Sequence, residues 1–301
     1  MKAIICTGYG DPDVLQMQEV AKPVPKDNEI LIRIHATTVA SGDCVVRGAK
    51  KYGPILKIMF GLKRPRQPIL GTELSGTIEA VGANVKKFKI GDAVFALTGM
   101  KFGGYAEYIC LPENGIISLK PENATFDEAA ALSFGGTTAL HFLRKAGLAP
   151  KTKVLIYGAS GSVGTAAVQL AAHFGADVTG VCSKQNLDLV HSLGANIVID
   201  YTSDHFKTLN ETYDIVFDAV GKLNKTKAKQ LTNQNGKFVS VARGMVKELT
   251  ADLYLLKQLF EEEKFKAAID KRYPLKDADK AHAYVETGRK KGNVILTVVT
   301  E

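Results

Sequence analysis

Alternating apolar and polar positions mark the first 120 or so residues as strand-forming. Glu29–Val39, EILIRIHATTV, is rich in Ile, Val and Thr and has the pattern of a half-buried strand. Leu74–Gly82, Asp92–Leu97 and Tyr105–Leu111 repeat the theme, and Gly, Pro and Asn break the runs. This half reads as an antiparallel or barrel-like β domain with long loops.

The pattern changes near Pro121. TFDEAAALSFGGTTALHFLRKAGL has helical spacing, and Asp127 and Glu128 give it the acidic first turn that suits a helix N-terminus. Beyond it, strand-length apolar runs at Lys153–Tyr157, Asp177–Cys182, Asn196–Ile199, Tyr213–Phe217 and Lys237–Val241 alternate with helical patterns. Such alternation predicts an α/β fold, a parallel sheet with helices on both faces. A strongly helical stretch, VKELTADLYLLKQLFEEEKF, follows Gly244 and Met245. A strand, a Pro-marked turn, a helix and a closing strand, GNVILTVV, complete the chain.

Composition adds little. The 301 residues, 46% hydrophobic and 23% charged, suit about two soluble domains. No apolar run approaches the ~20 residues of a membrane span, and MKAIICTGYGDP lacks the layout of a signal peptide, so a cytoplasmic protein is expected. Cysteines 6, 44, 110 and 182 have no metal-binding spacing and read as free thiols packed as small hydrophobes. The net charge of +8 is dispersed. Its densest stretches, Lys86–Lys89, Lys222–Lys229 and Arg289–Lys291, read as solvated surface. No basic stripe is interleaved with aromatics, so nucleic acid is not an expected partner. The six histidines show no partner in the sequence and are assigned to surface or core.

The chemistry concentrates in VLIYGASGSVGTAAVQLAAHFG, Val154–Gly175. A strand runs into Gly158, Gly161 and Gly164, and a small-residue helix follows. That is the dinucleotide-binding arrangement, here as GxxGxxG. Glycine permits the turn, lets backbone approach a pyrophosphate and lets helix pack on strand. The helix N-terminus then offers N–H groups and a positive dipole end to the phosphates. Gly158, Ser160, Gly161, Ser162, Val163 and Gly164 form the expected cradle. The next strand, DVTGVC, ends in Ser183 and Lys184 rather than in a carboxylate for ribose hydroxyls. A hydroxyl and an ammonium suit a 2′-phosphate, which predicts NADPH over NADH. Tyr201, after the third strand, is a further candidate contact; a loop position with no ligand is the alternative.

Together, ILGTELSGTIEAVGANVKKFKIGDAVFAL, GGYAEY, ALSFGGTTAL, GASGSVG and KGNVILTVV resemble the medium-chain dehydrogenase/reductase family, in its zinc-free quinone oxidoreductase (zeta-crystallin-like) branch. The resemblance implies a GroES-like β-rich catalytic domain over 1–122 and 265–301. A Rossmann domain, doubly wound and NADP-binding, would span 123–264, with the active site between the two. It also implies that Thr137, Val220, Ser240 and Val241 join the cofactor-binding set. Thr38 stands where quinone oxidoreductases often have Asn, and Asp43 and Arg47 match their Asp and Arg. Thr38 and Asp43, with Tyr52 as an orienting hydroxyl or proton donor, form the expected substrate-positioning group. An i,i+4 pair on a short helix is the other reading of Asp43 and Arg47. A loop aromatic over the cleft is the other reading of Tyr52.

Zinc relatives have Cys at the position of Ser41 and Gly-His-Glu at Gly71-Thr72-Glu73, so no zinc site is expected. The implied activity is NADPH-dependent reduction of quinones or α,β-unsaturated carbonyls, whose electron-poor acceptors need no Lewis acid. A zinc-free alcohol or aldehyde oxidoreductase is the runner-up, and an NADPH-binding sensor or RNA-binding protein with little turnover is the rival from another class. Only Ala242–Thr250 separates the fifth strand from the next helix, so the segment that carries a family dimer strand is shortened. A monomer or weak, atypical homodimer is expected.

Overall fold

The computed structural model describes residues 1–49 and 60–298. The chain divides into two compact units, Met1–Ser133 with Ile269–Glu301, and Phe134–Ala268. This division by contacts falls later at both ends than the boundaries at 122 and 264 that the resemblance implies.

The first unit opens with an antiparallel pair, β1 (Lys2–Cys6) and β2 (Leu15–Glu19). Next come β3 (Glu29–Thr38), helix α1 (Ser41–Arg47), β4 (Glu73–Val81), β5 (Ala93–Leu97), β6 (Tyr108–Pro112) and β7 (Ile116–Leu119). The β-branched run of β3 places Ile30, Ile32 and Ile34 in one core with Leu74, Ile78, Val94 and Ile117. Helix α2 (Phe126–Ala146) carries the chain into the second unit. It starts at a reciprocal capping box: Glu128 N–H donates to Thr125 Oγ1 at 3.2 Å, and Thr125 N–H to Glu128 Oε2 at 2.8 Å.

The second unit alternates strand and helix. In order they are β8 (Lys153–Tyr157), α3 (Ser162–His173), β9 (Asp177–Cys182), α4 (Leu187–Ser192), β10 (Ile197–Asp200), α5 (Asp204–Thr208), β11 (Tyr213–Asp218), α6 (Lys225–Leu231), β12 (Thr232–Ser240) and α7 (Thr250–Glu261). The five strands are all parallel, in the order β10-β9-β8-β11-β12. This is the doubly wound order, with its reversal point between β8 and β11. β8 and β9 match the sequence expectation residue for residue, whereas β12 starts five positions early. Its polar TNQN segment joins through an irregular register with β11.

The returning segment supplies β13 (Ile269–Pro274), α8 (Ala278–Glu286) and β14 (Asn293–Thr297) to the first unit. Its main sheet runs β13-β14-β3-β4-β5-β7, with β6 also paired to β3. A second core joins Cys44 of α1 and Ala281 of α8 to Leu70, Tyr105, Leu275 and Leu296.

Candidate functional site

Each glycine of the β8–α3 turn has a separate physical reason. Gly158 has φ +79°, and a Cβ there would lie 2.5 Å from Val220 Cγ1. A Cβ on Gly164 would lie 2.1 Å from the Gly158 carbonyl oxygen, so helix and turn pack too closely for any side chain. A Cβ on Gly161 would meet only Gly158 O, at 3.6 Å, an ordinary contact. The fold therefore does not need glycine at 161. Its bare backbone opens the end of α3, of which it is the N-cap, and it brings no side chain to cap the first-turn amides. A phosphate group fits this cradle. Ser160 and Val163 are buried beside it, and Ser162 begins the helix. On α2, a Cβ at Gly135 would meet Ser162 O at 2.8 Å, so this glycine lets α2 approach the same turn, while a Cβ at its neighbour Gly136 would meet Leu256 Cδ1 at 2.5 Å. Thr137, one residue beyond that pair, is buried, with its hydroxyl 3.4 Å from Phe134 O.

The other cofactor candidates gather at the carboxyl ends of the strands. Asp218 ends β11 and is buried. It accepts the backbone N–H groups of Val220, Gly221, Lys222 and Leu223 at 2.8–3.3 Å, and the Ser240 hydroxyl at 3.1 Å. One carboxylate thus fixes Val220 over Gly158 and Ser240 beside it, and Val241 N–H donates to Asp218 O at 3.1 Å. Beyond β9, Ser183 is half-buried and Lys184 exposed. Tyr201 N–H donates to Cys182 O at 3.0 Å, bringing the exposed Tyr201 to the same corner. The strand end of β9 has no carboxylate, but Asp200 of β10 stands near Lys184. Hydrogen bonds from Thr202 first, then the charge and amide of Lys184, hold the Asp200 carboxyl below its ordinary range.

The first unit holds a buried polar cluster. Arg47 Nε–H donates to His282 Nδ1 at 3.3 Å, leaving the other imidazole nitrogen to donate to Tyr105 Oη at 3.1 Å. Tyr105 O–H donates to Asp43 Oδ2 at 3.0 Å. Asp43 also accepts the amides of Ala40 at 3.0 Å and Gly71 at 3.3 Å. Burial pushes the Asp43 carboxyl up to about 6, and these hydrogen bonds and the charge of Lys290 oppose that shift. Burial, then the charge of Arg47, pushes the His282 imidazole down to about 3. Arg47 pairs with the Glu286 carboxylate and donates to Gly10 O, so the i,i+4 pair with Asp43 does not form. Thr38 is buried, and its hydroxyl donates to Glu73 Oε1. Tyr52 lies outside the described residues.

The expectation that no histidine has a partner is overturned. Besides His282, which also lies 3.4 Å from Cys44 Sγ, His35 bonds Thr77 at 3.2 Å, and His141 accepts the Lys247 amide at 3.3 Å. These partners are up to 238 positions away, so local sequence gives no sign of them. Asp218 carries a signal legible in the sequence, a carboxylate ending an apolar strand just before a glycine turn. All four thiols are free. Among the described residues, no three His, Cys, Asp or Glu side chains group as a metal site, and no helix is long and apolar enough to cross a membrane.

A doubly wound parallel sheet with an open glycine turn at its reversal point is the architecture of a dinucleotide-binding protein. Residues 26–121 match the alcohol dehydrogenase GroES-like domain, and 162–269 match the zinc-binding dehydrogenase domain. The chain is 35% identical to 2-methylene-furan-3-one reductase of Solanum lycopersicum, over 98% of this chain and 79% of that protein. It is 31% identical to the chloroplastic NADPH-dependent alkenal/one oxidoreductase of Arabidopsis thaliana, with the same coverage of 98% and 79%. The solved quinone oxidoreductase of Coxiella burnetii superposes with a TM-score of 0.85 at 28% identity, covering 99% of each chain. The chain belongs to the medium-chain dehydrogenase/reductase family, in the branch of its zinc-free quinone and enone reductases.

Proposed function

We propose that this protein is an NADPH-dependent reductase of quinones or α,β-unsaturated carbonyls. The observation that carries the reading is the combination at the strand ends: an uncapped helix N-terminus opened by Gly161, beside a β9 end that offers Ser183 and Lys184. The relatives named for enone and quinone reduction support the acceptor class. NADPH, when bound, supplies the hydride.

The residues of the chain bind and orient. The first-turn amides of α3 take the pyrophosphate, and Ser183, Lys184 and Tyr201 take the 2′-phosphate. Val220, Ser240 and Val241, set by Asp218, border the nicotinamide end with Thr137. On the substrate side, Thr38 presents a hydroxyl fixed by Glu73. Asp43 acts as a frame, holding the amides of Ala40 and Gly71. The acceptor is a small molecule, and the short 241–249 connection after β12 favours a monomer or weak homodimer. The four free thiols suit a reducing compartment such as the cytoplasm.

Titrating NADPH and NADH by nicotinamide fluorescence, then adding 9,10-phenanthrenequinone or 1-octen-3-one, tests this reading. Selective NADPH binding followed by oxidation with either acceptor is expected. Preference for NADH, or bound NADPH that neither acceptor oxidises, would refute it.

A further inference from the structure

Asn186 belongs to neither the glycine cradle nor the Ser183–Lys184 pair, yet it ties one to the other. It is 4% exposed. Its backbone N–H donates to Ser183 O at 2.9 Å, closing the short turn that carries Lys184. Its side-chain Nδ2 donates to Ser160 Oγ at 2.9 Å, inside the glycine turn. Its Oδ1 is buried and has no hydrogen-bond partner. Burying an amide with half of its capacity unused opposes folding, and an apolar residue of similar size would fill the space without that cost. As the first residue before α4, Asn186 also makes no side-chain cap to that helix. The helix therefore does not explain it. What the side chain does is hold the loop after β9 at a fixed distance from the turn after β8.

On the far side, the same loop is held by β10. Tyr201 N–H reaches Cys182 O, and Asp200 interacts with the Lys184 amide. The Asn186–Ser160 bond is the matching tie on the cradle side. Lys184 itself is exposed on a flexible stem, so the placement of its ammonium depends on where its backbone is held.

We propose that Asn186 is a positioning residue for cofactor selectivity. Through Ser160, it fixes the turn bearing Ser183 and Lys184 at the distance from the pyrophosphate cradle that a 2′-phosphate requires. The proposal rests on the NADPH reading above and extends it to a residue that does not itself touch the phosphate.

The test is a set of NADPH and NADH titrations on the wild-type protein and on the Asn186→Ala, Ser160→Ala, doubly substituted and Lys184→Ala variants, each checked by thermal melting. Asn186→Ala is expected to weaken NADPH about tenfold and NADH less than about twofold. Ser160→Ala, which removes the same bond from the other end with a smaller change of volume, should lower the NADPH/NADH ratio in the same direction. The double variant should show a ratio close to that of the single variants. If Lys184→Ala removes the preference while Asn186→Ala and Ser160→Ala leave the ratio intact, or weaken both cofactors in parallel, the positioning role is overturned and the NADPH reading stands. A wild-type protein with no preference for NADPH overturns both.

Discussion

Two polar assemblies of this molecule differ in where their hydrogen bonds go. In the β-rich unit, Arg47, His282 and Tyr105 form a chain of donors that ends on the Asp43 carboxylate, which also accepts the Ala40 amide. In the nucleotide unit, α3 has no side-chain cap, Gly161 leaves open backbone, and Lys184 and Tyr201 project to the surface. Internal closure stabilises a fold, because each buried group has its partner. An open helix end leaves room for a ligand's phosphate at its first turn. The same residue types therefore carry different consequences in the two units, and substitutions separate them.

The largest contrast lies within one turn. Gly164→Val would drive a side chain into the Gly158 carbonyl, already 2.1 Å from an ideal Cβ, and should cost more than about 4 kcal/mol of stability or prevent folding. Gly161→Ala places its Cβ in open contact at an ordinary φ of −81°, and should cost about 1 kcal/mol or less. Cofactor binding should nonetheless weaken at least about thirtyfold in Gly161→Ala, since the methyl group occupies the approach to the helix end. Urea melts alongside fluorescence titration read both quantities. Full cofactor affinity in Gly161→Ala would break the argument that an open glycine marks the ligand.

The closed assembly should answer in the opposite way. Tyr105→Phe removes the hydroxyl that joins His282 Nε2 to Asp43 Oδ2, with almost no change of volume. Leaving one buried donor and thinning the shell of a buried carboxylate should cost about 2 kcal/mol, with the dissociation constant for NADPH unchanged within about twofold. A loss of affinity larger than the loss of stability would show that this cluster serves the site directly.

The contrast also explains what the sequence made legible. The strands of the nucleotide unit are short apolar runs between turn signals, and β8 and β9 could be read to the residue because they are buried on both faces. The start of β12 could not: Thr232–Asn235 is polar, and its pairing with β11 is irregular. β2 buries only Leu15 of its five residues, so it carries little apolar pattern. The candidate cofactor residues could be proposed from the sequence because glycine spacing and a strand-end lysine are local signals. The closed cluster could not be. Its partners come from α1, the segment before β6, and α8, and only the folded sheet brings them together. Asn186 shares that property at shorter range, since its bond to Ser160 spans 26 positions.

The smallest expected effect concerns pH, and it comes from two opposing shifts within the closed cluster. The Asp43 carboxyl is raised from 3.8 to about 6, so its contribution is fully present below 3.8 and lost as pH rises through 6. Acidification from pH 7 to 5 therefore gains stability from Asp43. The His282 imidazole is lowered from 6.5 to about 3, so its contribution is fully present above 6.5 and lost as pH falls toward 3. The same acidification loses stability through His282. Over this window the two terms nearly cancel, to within about 1 kcal/mol. Removing either partner should unmask the other. Relative to wild type, His282→Gln should become more stable between pH 7 and pH 5, and Asp43→Asn less stable, each by on the order of 1–2 kcal/mol. Urea denaturation of the three proteins at the two pH values measures the difference. Parallel pH profiles would mean that the two groups titrate as one unit through Tyr105, with a shared proton instead of two opposed ones.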